Sequence, residues 1–169
     1  VHNDLWALCN LGQEEVKDYL EFIENYSDED NYHILAEIYS SIKKLDRLYY
    51  YEPWWQKSKE KITQILYPTY KQNLKILGWN KLEKESTSDI LMRSLCINFC
   101  GFAQDKETII EAKSRYATNN LNLDIASSIY SIVAQNGDEK LFKEMLLKYE
   151  KSEELEYKLK ILASLYQFK

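Results

Sequence analysis

Apolar residues recur at intervals of three and four along almost the whole chain. Val16, Tyr19, Leu20 and Ile23 make one stripe, and Leu35, Ile38, Ile42, Leu45 and Tyr49 make a longer one. That spacing puts side chains on a single helix face. Polar punctuation separates the stripes. Asn10-Leu11-Gly12 offers a C-terminal cap, and Glu14 and Glu15 suit the dipole at the next helix start. Ser27-Asp28-Glu29-Asp30-Asn31 is a polar break, and Tyr51-Glu52-Pro53 is another, with Pro53 suited to a first helical turn. Pro68 is expected to kink or split the segment that Gly78 ends.

The second half is more regular. Ser86 and Asp89 have capping-box spacing, and Asp105 is placed to cap a helix running to about Ala117. Thr118-Asn119-Asn120 precedes a helix over about Leu123 to Asn136, which Gly137 stops and Asp138 follows with another. Ser152 is read as the cap of a last helix with the stripe Leu155, Leu159, Leu162 and Tyr166. Breaks are thus expected near 10–13, 26–31, 50–53, 78–87, 103–105, 118–123, 136–138 and 150–152.

The turns at Gln104-Asp105 and Gly137-Asp138 lie about 33 residues apart, a spacing of helical solenoids. The segments 90–103 and 125–133 are apolar on most sides. Their neighbours, with Ile109, Ala112 and Tyr116 or with Phe142, Met145, Leu146 and Tyr149, are striped. A helix apolar all round is buried and a striped one lies at a surface. Alternation of the two kinds predicts an all-α fold, an α–α superhelix of HEAT/armadillo-like antiparallel helix pairs with no sheet. Residues 1–169 read as one helical segment, part of a longer domain.

Composition narrows this further. Four Gly and two Pro stand where average usage gives roughly 20, which disfavours many-turned β folds and Gly-rich phosphate loops. Hydrophobic residues at 45% and aromatics at 14% exceed what a disordered chain leaves solvated. A net charge of −5 and a pI near 5.2 argue against a nucleic-acid partner. The longest apolar runs fall short of a membrane span, so no membrane partner is expected. Val1-His2-Asn3-Asp4 has neither Met nor a signal pattern, which suggests an excised segment and a cytoplasmic setting. Cys9, Cys96 and Cys100 fit a reducing interior; Cys96 and Cys100, one turn apart, read as two buried thiols, with a redox or metal pair as the alternative.

Catalytic chemistry finds little support. His2 and His33 are the two histidines, 31 residues apart and with no second His or Cys three to five residues away, so no metal site is expected in this chain. GxSxG, GxxxxGK[ST] and GxGxxG are absent. Glu14-Glu15, Glu153-Glu154 and Asp28-Asp30 sit at helix starts or in polar loops, where dipole and solvent account for them. The tract Tyr49-Tyr50-Tyr51-Glu52-Pro53-Trp54-Trp55 reads either as packing between helices or as a docking surface. Arg93, inside the most apolar helix, is either a structural clamp or a cavity-facing anion binder. Ser127, Ser128, Ser131 and Gln135 make a polar stripe suited to close helix contact or a cavity wall. The candidate peptide-facing or interdomain residues are therefore Tyr51, Trp54, Trp55, Arg93, Ser127 and Ser131.

Asp4-Leu5-Trp6-Ala7-Leu8 through Leu11-Gly12, Leu77-Gly78-Trp79, Leu91-Met92-Arg93-Ser94-Leu95, and then Glu111-Ala112, Tyr116, Leu123-Asp124, Ile129-Tyr130, Gly137 and Lys148-Tyr149 fall in a familiar order. Together they resemble the helical C-terminal domain of gluzincin aminopeptidases, a group with the endoplasmic-reticulum, puromycin-sensitive and archaeal tricorn-interacting enzymes. The Tyr, Lys, Ile and Asn bias resembles an archaeal member. The resemblance implies a non-catalytic bowl that covers the active-site cleft and shapes the peptide channel. It implies that zinc belongs to the parent enzyme, on an upstream HExxH motif without a counterpart here. The expected partners are the catalytic domain of the same polypeptide and the peptide substrate, with a dimer through truncated helical ends as a further possibility. A stand-alone helical-repeat scaffold is the alternative, and a helical hydrolase using carboxylates is the weaker third.

Overall fold

The structure is a computed structural model that describes residues 2–118 and 121–168, with His2 and Asn3 described by their backbone alone. The break expected at Asn119-Asn120 lies outside the described residues. The described residues form α-helices, one short 3-10 turn and loops, with no strand, so the all-α expectation is met. The chain divides into two compact units, one ending at Ile76 and the other beginning at Leu77.

The first unit contains α1 (His2–Asn10), α2 (Val16–Ile23), α3 (Tyr32–Tyr49) and most of α4 (Pro53–Leu77). Both helical stripes read from the sequence face inward: Tyr19 and Ile23 on α2, and Leu35, Ile38, Ile42 and Leu45 on α3, are buried. Trp6 joins them with its ring 4.9 Å from that of Tyr19. Gly12 closes α1 at φ +68°, with its N–H on the Cys9 carbonyl and the Gln13 N–H on the Leu8 carbonyl, a Schellman pairing.

Pro68 does not split α4, which runs as one helix from Pro53 to Leu77. Proline withholds an N–H from the carbonyl four residues back, here Gln64. Tertiary anchors beside it offset that loss. The Tyr70 hydroxyl donates to the Leu35 carbonyl at 2.7 Å, the Thr69 hydroxyl donates to the Ser27 carbonyl, and Leu66 is buried.

The second unit contains α5 (Thr87–Phe102), α6 (Lys106–Ala117), α7 (Leu123–Gln135), α8 (Glu139–Lys151) and α9 (Leu155–Leu165). Helix α7 packs between α5 and α9, α6 lies against α5 and α7, and α8 lies against α9. Alternate helices thus share a layer, as stacked helix pairs require. The all-round apolar helices α5 and α7 supply the core: Cys96, Ile97, Phe99, Cys100, Ile125, Ile129 and Ile132 are buried.

Two local expectations change. Ser152 does not cap α9; it closes α8, and its hydroxyl accepts the Glu154 N–H at 3.3 Å in the intervening turn. The stripe Leu155, Leu159, Leu162 and Tyr166 faces solvent, at 69, 55, 37 and 83% exposure, while Ile161 and Ser164 face inward. Helix α9 is apolar on two sides, and only one of them has a partner among the described residues.

Candidate functional site

Within the first unit, the turn between α3 and α4 collects the aromatic tract into one corner. The Tyr49 and Trp54 rings lie 4.9 Å apart, Tyr50 and Tyr51 5.0 Å, and Trp54 and Trp55 6.1 Å. The corner has an inside and an outside. Trp55 is fully buried, and its indole N–H donates to Asp46 Oδ1 at 2.9 Å. Lys59 Nζ reaches the same oxygen at 3.0 Å. Tyr51 is 91% exposed and Trp54 43%, with Leu48 exposed beside them. The sequence reading grouped Trp55 with the surface candidates, and that placement is corrected: its side chain belongs to the core. A signal was present, because Trp55 precedes buried Ile62 by seven residues and Leu66 by eleven, in phase with the inward face of α4.

Arg93 is the other sequence candidate that lies wholly inside. Its side chain is 0% exposed and that of Glu85 is 3%. Arg93 Nη1 donates to Glu85 Oε2 at 3.0 Å, and Nη2 lies against Glu85 Oε1. Nε donates to the Gly78 carbonyl at 3.0 Å, and Nη2 also points to the Leu77 carbonyl at 3.4 Å. Burial pulls the guanidinium pKa down from its ordinary value, with Asp124 opposing that shift. The cation is a clamp on a helix end and a loop, so the structural alternative holds for it. Glu85 carries no sequence signal, because Glu83 in the same loop looks equally suitable.

The serine stripe of α7 divides in the same way. Ser128 is buried against α5, where its hydroxyl donates to the Ser94 carbonyl at 3.2 Å and accepts from Asn98 Nδ2 at 2.7 Å. Ser127 is exposed and Ser131 is half-buried. Gln135 Nε2 lies 3.5 Å from the Ser131 hydroxyl and donates to Gln167 Oε1 at 3.0 Å. Ser127 and Ser131 therefore remain outside that contact, on the face of α7 that also carries the exposed Asp124.

A separate cleft of about 390 Å³ is lined by Lys113, Tyr116, Val133, Asn136, Gly137, Asp138 and Leu141. Tyr116 at its wall donates to Glu144 Oε1 at 3.1 Å, and the Lys148 ammonium sits 4.1 Å from its ring centroid. Cys96 and Cys100 are buried and unlinked, and burial pushes the Cys96 thiol up, away from the reactive thiolate. No group of three or more His, Cys, Asp and Glu side chains that could hold a metal ion occurs among the described residues. No helix among them is long and apolar enough to cross a membrane.

Comparison with known proteins gives a consistent result. Over 171 aligned residues the chain is 24% identical to Aminopeptidase 2 of Candida albicans (strain SC5314 / ATCC MYA-2876), covering 98% of this chain and 18% of that protein. The chain spans about a fifth of that relative's length. The family model described as the ERAP1-like C-terminal domain matches residues 1–169, so the chain belongs to the ERAP1-like C-terminal domain family.

Proposed function

We propose that this chain is a non-catalytic helical part of a zinc aminopeptidase, one that encloses the active-site cleft and shapes the peptide channel. The family match over residues 1–169 carries the reading, and the aminopeptidase relative supports it. In this reading the chain breaks no bond. It excludes water and limits which peptides reach a catalytic domain of the same polypeptide, where zinc supplies the Lewis-acid chemistry. Ser127 and Ser131 are the peptide-facing candidates, and Tyr51 and Trp54 are the interdomain candidates. The setting is cytoplasmic, and the amino-acid bias favours an archaeal-type member. The purified chain is expected to hydrolyse no aminoacyl-4-nitroanilide and to hold no stoichiometric zinc by metal analysis. A reading frame without HExxH upstream of Val1 overturns the proposal.

A second reading is a stand-alone helical scaffold that takes a partner protein. The exposed corner at Tyr51 and Trp54 and the exposed stripe of α9 favour it. The same stripe is the surface through which two copies of this chain would pair. A natural gene product no longer than this chain decides for the scaffold.

A further inference from the structure

The nine residues Leu77–Glu85, which open the second unit, are tied to three of its helices. Arg93 on α5 holds both ends of the segment with one guanidinium: the Leu77 and Gly78 carbonyls at the entry and the Glu85 carboxylate at the exit. Arg115 on α6 holds the front, with its guanidinium 5.2 Å from the Trp79 ring centroid and Nη1 donating to Asn80 Oδ1 at 2.9 Å. Asp124 on α7 lies 3.9 Å from Lys81 Nζ. Between these ties Lys81, Leu82, Glu83 and Lys84 are exposed. The segment thus has its ends close together and its middle in solvent, as in an Ω-loop.

We infer that Leu77–Glu85 is a latch that opens as one piece, with the Arg93–Glu85 pair as its keystone. The ties are unequal. Arg93 is wholly buried, so losing Glu85 leaves a desolvated cation with only carbonyl partners, an expensive state that the chain relieves by releasing the loop. The Arg115 side chain is 25% exposed, and water replaces its contacts at small cost. Helices α5, α7 and α9 keep their mutual packing when the loop leaves, because α7 packs directly on both α5 and α9. Opening is therefore local, one cooperative step below global unfolding. The inference stands independently of the proposed function.

Limited trypsin digestion of the whole chain tests it, with cleavage after Lys81 and Lys84 followed by mass spectrometry. Amide exchange in α5 to α9 and far-ultraviolet circular dichroism are followed in parallel. Arg93→Met is expected to speed cleavage at both lysines by at least about tenfold while α5 to α9 keep their exchange protection. Glu85→Gln is expected to do the same, and it carries the comparison alone should Arg93→Met fail to fold. Arg115→Ala is expected to change cleavage by about threefold or less. Three results overturn the latch: unchanged cleavage in both keystone variants, cleavage and helix exchange rising together, or Arg115→Ala opening the loop as far as Arg93→Met.

Discussion

Gly101 on α5 sits directly against Ile132 on α7. A Cβ at that position meets Ile132 Cγ1 and lies 2.7 Å from Ile132 Cδ1. Alanine raises helix propensity by about 1 kcal/mol over glycine, but overpacking a filled core costs about 1–3 kcal/mol. Ile132 is buried and has little room to yield. Gly101→Ala is therefore expected to lower unfolding free energy by about 1 kcal/mol in urea titration, with part recovered in combination with Ile132→Val, which removes Cδ1. Asp89 shows a purely local effect. Its carboxylate accepts from the Ser86 hydroxyl at 2.7 Å and the Ser86 N–H at 3.0 Å, and these bonds lower its pKa below 3.8. A depressed carboxylate adds stability that is present above pH 3.8 and lost as pH falls through the folded-state value. Asp89→Asn is thus expected to be destabilising at pH 7 and neutral at a low pH where the folded-state carboxyl is protonated. An equal difference at both pH values contradicts it. The capping box was legible because both partners lie within four residues. The Trp55–Asp46 and Arg93–Glu85 pairings were not, because each is a choice among similar residues that only tertiary packing makes.

At the scale of elements, helix ends show how sequence and conformation part company. Gly12 and Gly78 take the positive φ their positions require. Helix α5 ends in the same Schellman pattern, with Gln104 N–H on the Gly101 carbonyl and Asp105 N–H on the Cys100 carbonyl, yet its left-handed position is Gln104 at φ +61°. A non-glycine residue in that region costs about 1–2 kcal/mol, of which the Gln104 side-chain bond to the Gly101 carbonyl returns a part. Gln104→Gly is expected to raise the denaturation midpoint by an amount worth about 0.5–1 kcal/mol. A lower midpoint means that the side-chain bond outweighs the backbone strain. Pro68 gives the converse case, in which a local breaker leaves the helix unsplit beside the anchors Tyr70, Thr69 and Leu66. Local rules located the turns at Ser86 and Asp138, whose caps form as read, but they carry no term for long-range anchors.

At the scale of the molecule, the sequence pattern singled out Leu155, Leu159, Leu162 and Tyr166 as the stripe of α9, and the structure turns the opposite side in. Ile161, Tyr157 and Phe168 lie on one side and Leu155, Leu159, Leu162 and Tyr166 on the other, and a hydrophobic count ranks them about equally. Packing on α7 and α8 uses the first set, and Tyr157 reaches Tyr130 at 5.9 Å between ring centroids. The second set, spaced four, three and four, is a seam of the kind one helix offers another. If that seam pairs two copies of the chain, association follows from its apolar surface and vanishes with a charge placed in it. Sedimentation over about 1–100 µM is expected to show a monomer–dimer equilibrium for the native chain. Leu159→Glu, at a position already 55% exposed, is expected to give a monomer with unchanged helix content, since surface substitutions shift stability by only about 0.5 kcal/mol. A native chain that stays monomeric across that range removes self-pairing from the reading of α9, and a dimer that survives Leu159→Glu moves the contact to another surface.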